Sequence, residues 1–190
     1  MITCASPDPV EFVLKDGRHV TIARLAAADK TALQAFGEQL SARSHELFLP
    51  HRYDSATLDK LIQRNATGDD VIYVGKSGET IVAYFFLWFA RRRVPLLGIG
   101  IADAFQGAGL GRQLMERLIA DGRALGAEGI ELTTALDNDR AFALYTKCGF
   151  QFLRNVENVV GDGKIKVERC MFLAFRPSAQ PMTEPHAAPV

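Results

Sequence analysis

The chain has 190 residues, of which 48% are hydrophobic, and its 22 basic side chains are balanced by 22 acidic ones. This length supports one substantial core, so we expect a single domain. The balanced charge gives no attraction for nucleic acid or for an anionic membrane, so neither is predicted as a partner. Cys4, Cys148 and Cys170 lack the spacing of a disulfide framework or a zinc site and are typical of a reducing cytoplasm.

The first residues, 1–19, are predicted to form an N-terminal extension. Asp8 and Glu11 come before any apolar stretch, so this segment lacks the basic region and apolar core of a secretory signal. The longest apolar run, residues 81–90, is about half the length that a membrane span needs. We therefore expect a cytoplasmic protein with no membrane helix.

Strands and helices alternate from residue 20 onward. A strand is predicted over 20–25, and helical patterns follow over 29–40, over 41–48 and from Asp54 or Ser55. The remaining pattern predicts strands over 71–76, 79–90 and 95–102, a helix ending near 125, a strand over 130–135, a helix around 145 and a hairpin over 150–175. Because the segment after residue 176 is rich in proline, we predict a domain over 20–176 and a disordered tail over 177–190.

A glycine-rich turn connects the strand over 95–102 to the long helix, and its members are Gln106, Gly107, Ala108, Gly109, Leu110 and Gly111. The first amides of a helix have no partner within the helix, and the helix dipole adds partial positive charge there. The dinucleotide-binding pattern does not fit, because its third glycine would fall on Arg112, and the phosphate-loop pattern lacks its lysine. We still predict that this turn binds an anionic phosphate group.

Two motifs together resemble those of the GNAT N-acetyltransferase superfamily. Gln106, Gly109 and Gly111 match the turn with which this family holds the pyrophosphate of acetyl-CoA. The second motif follows after a predicted strand, and its fixed positions are filled by Asn138, Ala141, Leu144, Tyr145, Gly149 and Phe150. The two motifs occur in the family's order, so the resemblance extends over roughly residues 20 to 175.

The resemblance implies an α+β fold, an αβα sandwich in which a mixed, mostly antiparallel sheet of about seven strands carries helices on both faces. It also implies acetyl-CoA as the acyl donor and no metal. In this family two strands separate beside the turn, and the pantetheine arm of the coenzyme lies between them. The residues that the resemblance assigns to coenzyme binding are Ile99, Gly100, Ile101, Gln106, Gly107, Ala108, Gly109, Leu110, Gly111, Arg112 and Asn138.

Tyr145 is at the position from which family members protonate the departing CoA thiolate. A phenol suits this role because it keeps its proton at neutral pH. The local pattern also fits a tyrosine buried in the core. Asn138 has a second interpretation as the N-cap of the next helix, and Arg112 fits a solvated surface position equally well.

The residues that bind the acceptor and remove its proton are less well defined. Many relatives carry a glutamate where this chain has Thr133, so Glu131, Glu46, His45 and His51 are considered as alternative routes for the proton. The segment over 41–54 and the last hairpin are expected to form the acceptor wall. The candidate acceptor-binding residues are Glu46, Phe48, Tyr53, Asp54 and Glu131.

The predicted function is transfer of an acetyl group from acetyl-CoA to a primary amine, by direct attack in a ternary complex. The amine could be a small molecule or part of a protein. The missing glutamate at Thr133 leaves open a non-catalytic acyl-CoA-binding regulatory module, although the presence of Tyr145 argues against it. A nucleotide-binding α/β domain is a more remote alternative, and a homodimer is compatible with the resemblance.

Overall fold

The structure is a computed structural model that describes residues 9–182 and 186–190. Its strands are β1 (Val10–Val13), β2 (His19–Arg24), β3 (Val71–Ser77), β4 (Thr80–Trp88), β5 (Leu96–Ile101), β6 (Gly129–Ala135), β7 (Gln151–Val159) and β8 (Ile165–Ala174). Its helices are α1 (Lys30–Gln39), α2 (Ala42–Leu47), α3 (Ser55–Thr67), α4 (Leu110–Ala124) and α5 (Asp139–Lys147). None of the described helices combines the length and the apolar character that crossing a bilayer would require.

The eight strands of the described residues belong to one sheet, in the order β1-β2-β3-β4-β5-β6-β8-β7. Among the pairs of these described strands only β5–β6 is parallel, so the predicted mixed, mostly antiparallel sheet is confirmed. The expected number of about seven strands is too low by one. The additional strand is β1, which pairs with β2 and lies within the segment that we expected to be an extension. Residues 1–8 of that segment, with Cys4, are outside the described residues.

The sheet buries apolar side chains on both faces because alternate residues of a strand point to opposite sides. In β4, Ala83, Phe85 and Leu87 pack with the helices α4 and α5 on one face. Their neighbours Tyr84, Phe86 and Trp88 pack with α1 and α3 on the other face. The continuous apolar run of β4 therefore reflects a strand covered by helices on both sides, which gives the predicted three-layer arrangement.

The strands β5 and β6 separate after a short parallel contact. Their pairing consists of Leu96 with Glu131 and Leu97 with Leu132. Beyond this point β5 continues along β4 as far as Ile101, and β6 continues along β8 as far as Ala135. No strand in the described part of the chain fills the gap between them, so the sheet has a V-shaped opening at its centre.

The described residues of the C-terminal segment, for which we expected a disordered tail, have contacts with the rest of the protein. Ala179, Met182 and His186 are buried, and the backbone N–H of Met182 donates to Glu131 Oε2 at 2.8 Å. The prolines prevent regular secondary structure in this segment, but its few apolar and polar groups still pack against and hydrogen-bond to the sheet. Residues 183–185 are outside the described part of the chain.

Candidate active site

A cleft of about 380 Å³ occupies the opening between β5 and β6. It reaches both faces of the sheet, because Phe86 and Trp88 line it from one layer and Leu144 and Tyr145 from the other. Of the residues expected to bind coenzyme, the cleft is lined by Ile99, Gly100, Ile101, Gln106, Gly107, Gly109, Gly111, Arg112 and Asn138. Ala108 and Leu110 are instead buried in the core beside it.

The glycine-rich turn leads directly into α4. Gly107 and Gly109 have φ values of 86° and 90°, in the left-handed region that glycine enters most readily. Gly109 is the residue before α4, and no side chain among those described caps its first turn. The amides at the start of α4 are therefore available to an anion in the cleft.

Contacts from distant parts of the chain hold this turn. The backbone N–H of Lys15, in the loop between β1 and β2, donates to the Ala108 carbonyl at 3.0 Å. The Gln106 side chain donates to the Ile101 carbonyl at 3.1 Å and accepts from Arg140 at 3.4 Å. These bonds connect the turn to β5 and bring the Arg140 guanidinium to the same rim of the cleft.

Two arginines of the described residues line the cleft. Arg140 lies beside Gly107, and Arg112 extends from the first turn of α4. Arg112 pairs with Glu116 at 2.8 Å, and its side chain is 73% exposed, so it fits a surface ion pair as well as a phosphate contact. The position of Arg140 depends on how α5 packs, which the glycine motif alone does not reveal.

Tyr145 lines the cleft and is only 8% exposed. Helix α5 positions it: Asn138 caps that helix by accepting from the Ala141 N–H at 3.3 Å, and Gly149, with a φ of 95°, follows its end. Burial, with a smaller effect of the Glu168 charge, raises the pKa of Tyr145 to about 12. The phenol is therefore protonated at neutral pH and can donate a proton.

Sequence reasoning missed Glu168, a buried carboxylate that lines the cleft from β8. It lies opposite Ala135 on β6, at the wide end of the opening. Asn158 on β7 donates to Glu168 Oε2 at 2.8 Å and to Thr133 Oγ1 at 3.3 Å. Alternate residues of β8 share one face of the sheet, so Glu168 lies on the same face as Cys170. This alternation in the sequence could have predicted that the Glu168 side chain points toward the interior.

The residues expected to bind the acceptor are not brought together. Phe48 lines the cleft, where its ring packs against Gly100 so closely that a Cβ there would be 2.3 Å from Cε1. Asp103 orients the helix that precedes Phe48, because its carboxylate accepts from the hydroxyls of Ser41 at 2.9 Å and Ser44 at 2.7 Å. These bonds also lower the pKa of Asp103.

The other four acceptor candidates do not line the cleft. Glu46 pairs with Arg43 on the surface, and Asp54 caps α3 by accepting from the Thr57 N–H at 3.0 Å. Tyr53 is partly buried and packs beside Phe36, and burial of its hydroxyl strongly raises the pKa of the phenol. Glu131 is fully buried and accepts hydrogen bonds from the C-terminal segment. Each is engaged elsewhere in the structure, and among these roles the sequence pattern indicated only the capping by Asp54.

The histidines considered for proton removal are also engaged elsewhere. His45 Nε2 bonds the Gly37 carbonyl at 2.6 Å. His51 Nδ1 donates to the Arg52 carbonyl at 2.7 Å, so its Nε2 accepts from the Tyr84 hydroxyl at 3.0 Å. Burial lowers the pKa of His51 to about 4.

Comparisons with known proteins agree with this geometry. The acetyltransferase (GNAT) family matches residues 34–150. The N-alpha-acetyltransferase RimI of Mycobacterium tuberculosis is 32% identical over 150 residues, which cover 72% of this chain and 81% of the relative.

Two solved structures illustrate the shared fold. RimJ of Mycobacterium smegmatis, in complex with CoA-disulfide, has a TM-score of 0.72 and 14% identity, covering 93% of this chain and 92% of that one. Spermidine N-acetyltransferase of Vibrio cholerae, in complex with CoA and spermine, has a TM-score of 0.66 and 20% identity, covering 82% of this chain and 95% of that one.

The open sheet, the glycine turn before α4 and the family match define the class of the protein. The chain belongs to the GNAT acetyltransferase family. It is accordingly an acyltransferase, and the non-catalytic alternative is not favoured.

Proposed function

We propose that this protein transfers the acetyl group of acetyl-CoA to a primary amine that enters the cleft from the side of α2 and β8. The amine attacks the thioester directly while both substrates are bound. The observation that carries the proposal is the opening between β5 and β6, which joins the glycine turn on one side to Tyr145 and Glu168 on the other.

The start of α4 would hold the coenzyme pyrophosphate. Gly107, Gly109 and Gly111 line the cleft, so their backbone amides would donate to the pyrophosphate oxygens, and Arg140 would add a charge-assisted contact. The free edge of β5, from Gly98 to Ile101, would pair with the amides of the pantetheine arm, as an added strand does. The relative from M. smegmatis was solved with a CoA compound, which supports this donor.

Tyr145 would act as the general acid. As the amine nitrogen bonds to the acetyl carbon, the carbon–sulfur bond breaks and the CoA sulfur gains negative charge. The Tyr145 hydroxyl makes no hydrogen bond to another described residue, so it is free to donate its proton to this sulfur.

Glu168 would bind the acceptor amine and take its proton. A primary amine is cationic at neutral pH, and a buried carboxylate attracts it more strongly than a solvated one. Asn158 holds one carboxylate oxygen through its 2.8 Å hydrogen bond, which orients the group toward the cleft. The V. cholerae relative was solved with spermine, a polyamine, and this supports an amine acceptor.

A thiol-release assay tests the proposed function. The full-length protein is mixed with acetyl-CoA and, one at a time, polyamines, lysine derivatives and peptides with free N-termini. We expect release of CoA thiol that saturates with at least one amine. Saturable acetyl-CoA binding without amine-dependent release across the panel would contradict the proposal.

The Glu168→Gln variant tests the acceptor role directly. We expect kcat/KM for the amine to fall roughly tenfold to a thousandfold, because the amide neither attracts the cation nor takes its proton. The KM for acetyl-CoA should change little. Glu157→Gln, an exposed substitution on the neighbouring strand β7, is the matched control and should retain full activity. Equal losses in both variants would remove Glu168 from the site.

A further inference from the structure

A buried cluster of three potential metal ligands lies beside the cleft and has no part in the reaction proposed above. Glu131 is on β6, Cys170 is on β8, and His186 comes from the C-terminal segment. Their exposed fractions are 0%, 0% and 6%. Because Cys170 pairs with Thr133, two residues after Glu131, the first two side chains share one face of the sheet.

The spacing of the ligand atoms is compact enough for a single ion. One atom from each residue lies within 4.8 Å of the other two. Cys170 Sγ is 3.8 Å from His186 Nε2 and 3.1 Å from Glu131 Oε1, and the histidine nitrogen hydrogen-bonds that same oxygen. Tetrahedral zinc bonds place sulfur and nitrogen ligand atoms roughly 3.6 Å apart, close to the separation of Cys170 Sγ and His186 Nε2, and the two shorter contacts of Glu131 Oε1 would lengthen when an ion binds.

Charge balance favours a divalent cation at this place. A buried carboxylate is costly unless it is compensated, and Glu131 is fully buried. A thiolate, a carboxylate and a neutral imidazole around a dipositive ion sum to zero charge. Thiolate, imidazole and carboxylate are also the ligand set that zinc takes in proteins.

The surroundings of Glu131 resemble those of a carboxylate that coordinates a metal ion. Its second oxygen, Oε2, accepts from the backbone N–H of Met182 at 2.8 Å, and metal-binding carboxylates are commonly oriented by such hydrogen bonds. The three protein ligands leave a fourth tetrahedral position, which suits a water molecule. His186 also lines the cleft, so the cluster is adjacent to the acceptor side of the site.

We propose that Glu131, Cys170 and His186 bind one zinc ion, which fastens the C-terminal segment to the sheet beside the cleft. On binding, the Cys170 thiol loses its proton to solvent, and the sulfur–zinc bond replaces the S–H bond without a change of oxidation state. Among its described residues the segment packs on the core mainly through Ala179, Met182 and Ala188, so the ion would supply the strongest link between His186 and the strands.

Metal content and cobalt spectroscopy test this site without any assay of acetyl transfer. Full-length protein without a histidine tag is purified and its zinc is measured by elemental analysis, with an expected value near one ion per chain. The metal-free protein is then titrated with Co²⁺. We expect the d–d bands of a tetrahedral ion and a thiolate-to-cobalt charge-transfer band, both saturating at one equivalent.

Single substitutions assign the ligands. Cys170→Ser should abolish the charge-transfer band, and His186→Ala should weaken Co²⁺ binding at least tenfold. Cys148→Ser is the matched control, because Cys148 is a second free cysteine outside the cluster, and it should bind as the unaltered protein does. Zinc in excess should raise the melting temperature of the unaltered protein by roughly 5 °C or more, but not that of His186→Ala.

The proposal is overturned if metal-free protein binds neither ion stoichiometrically at micromolar concentrations, since the three side chains would then be only a hydrogen-bonded network. It is also overturned if His186→Ala binds Co²⁺ as tightly as the unaltered protein. If Cys170→Ser does not fold, the His186→Ala comparison still decides, because His186 is outside the strands. None of these readouts depends on the proposed acetyl transfer.

Discussion

Tyr145 and Tyr53 show how differently one side chain can be used within a single fold. Both phenols have a raised pKa because they are buried. The Tyr145 side chain lines the cleft, whereas the Tyr53 hydroxyl is buried without a hydrogen-bond partner among the described residues. Only Tyr145 is therefore in position to transfer a proton to a ligand.

The Tyr145→Phe variant tests that role. We expect kcat to fall roughly tenfold to a thousandfold, since the ring still packs but the departing sulfur loses its proton donor. Affinity for acetyl-CoA should be little changed. Steady-state kinetics and calorimetric titration measure the two quantities. Tyr53→Phe provides the control and should retain kcat, because its hydroxyl contacts no substrate; unchanged turnover in Tyr145→Phe would exclude a catalytic role.

At the scale of elements, the N-terminus of α4 and the free edge of β5 form the part of the cleft that we expect to bind the coenzyme. Both elements depend on glycines that can be identified from the sequence alone. The turn before α4 needs a positive φ at Gly109, and β5 needs a small residue at Gly100 because the Phe48 ring lies against it. The strand edge itself is left free by the early end of the β5–β6 pairing.

Gly109→Ala tests the contribution of the turn. An L-residue at a φ of 90° is strained by about 1 kcal/mol or more, and relief of that strain would displace the amides that face the cleft. We expect the Kd for CoA to rise roughly tenfold, which corresponds to about 1.4 kcal/mol. Isothermal titration calorimetry measures this change.

Gly126→Ala is a matched control at the other end of the same helix. Gly126 has a φ of 76°, and an added Cβ there meets no atom within 4 Å. This variant should lose a similar amount of folding stability but keep its CoA affinity. A similar loss of affinity in both variants would show that general destabilisation, and not the turn, controls CoA binding.

At the scale of the whole molecule, His51 joins the segment after α2 to the central strand β4. Its ring is 2% exposed and is hydrogen-bonded on both nitrogens, to the Arg52 carbonyl and the Tyr84 hydroxyl. Burial lowers its pKa from 6.5 to about 4. The folded protein therefore keeps this ring neutral at a pH where the unfolded chain has already protonated it.

This difference predicts a loss of stability in mild acid. As pH falls below 6.5 the unfolded state binds a proton first, so the free energy of unfolding decreases until the folded ring also protonates near pH 4. His51 should account for a loss of roughly 2 kcal/mol between pH 7 and pH 5. Urea unfolding at both pH values measures it.

Two variants separate the contribution of His51 to this pH dependence from the contributions of other titrating groups. His51→Gln should show a smaller pH dependence than the unaltered protein, even if its stability at pH 7 is lower. His19→Gln, which replaces an exposed histidine, is the comparison variant. An equal pH dependence in His51→Gln and the unaltered protein would contradict the assignment.

The sequence by itself determined the order of the elements, the central turn and the helix that carries Tyr145. These features depend on short-range chemistry: the backbone freedom of glycine, capping by Asn138, and apolar periodicity within single segments. The resemblance to a known family added the three-layer fold and the position of the opening, because both follow from that order of elements.

Only the tertiary structure decided which side chains meet across the cleft and beside it. Glu168 faces the opening because of the register between β6 and β8, and Glu131, Cys170 and His186 converge from positions far apart in the chain. The position of the C-terminal segment likewise depends on a contact made only in the folded protein, the hydrogen bond from the Met182 N–H to the buried Glu131 carboxylate. Such contacts are set by strand register and long-range packing, which residue patterns within one segment do not encode.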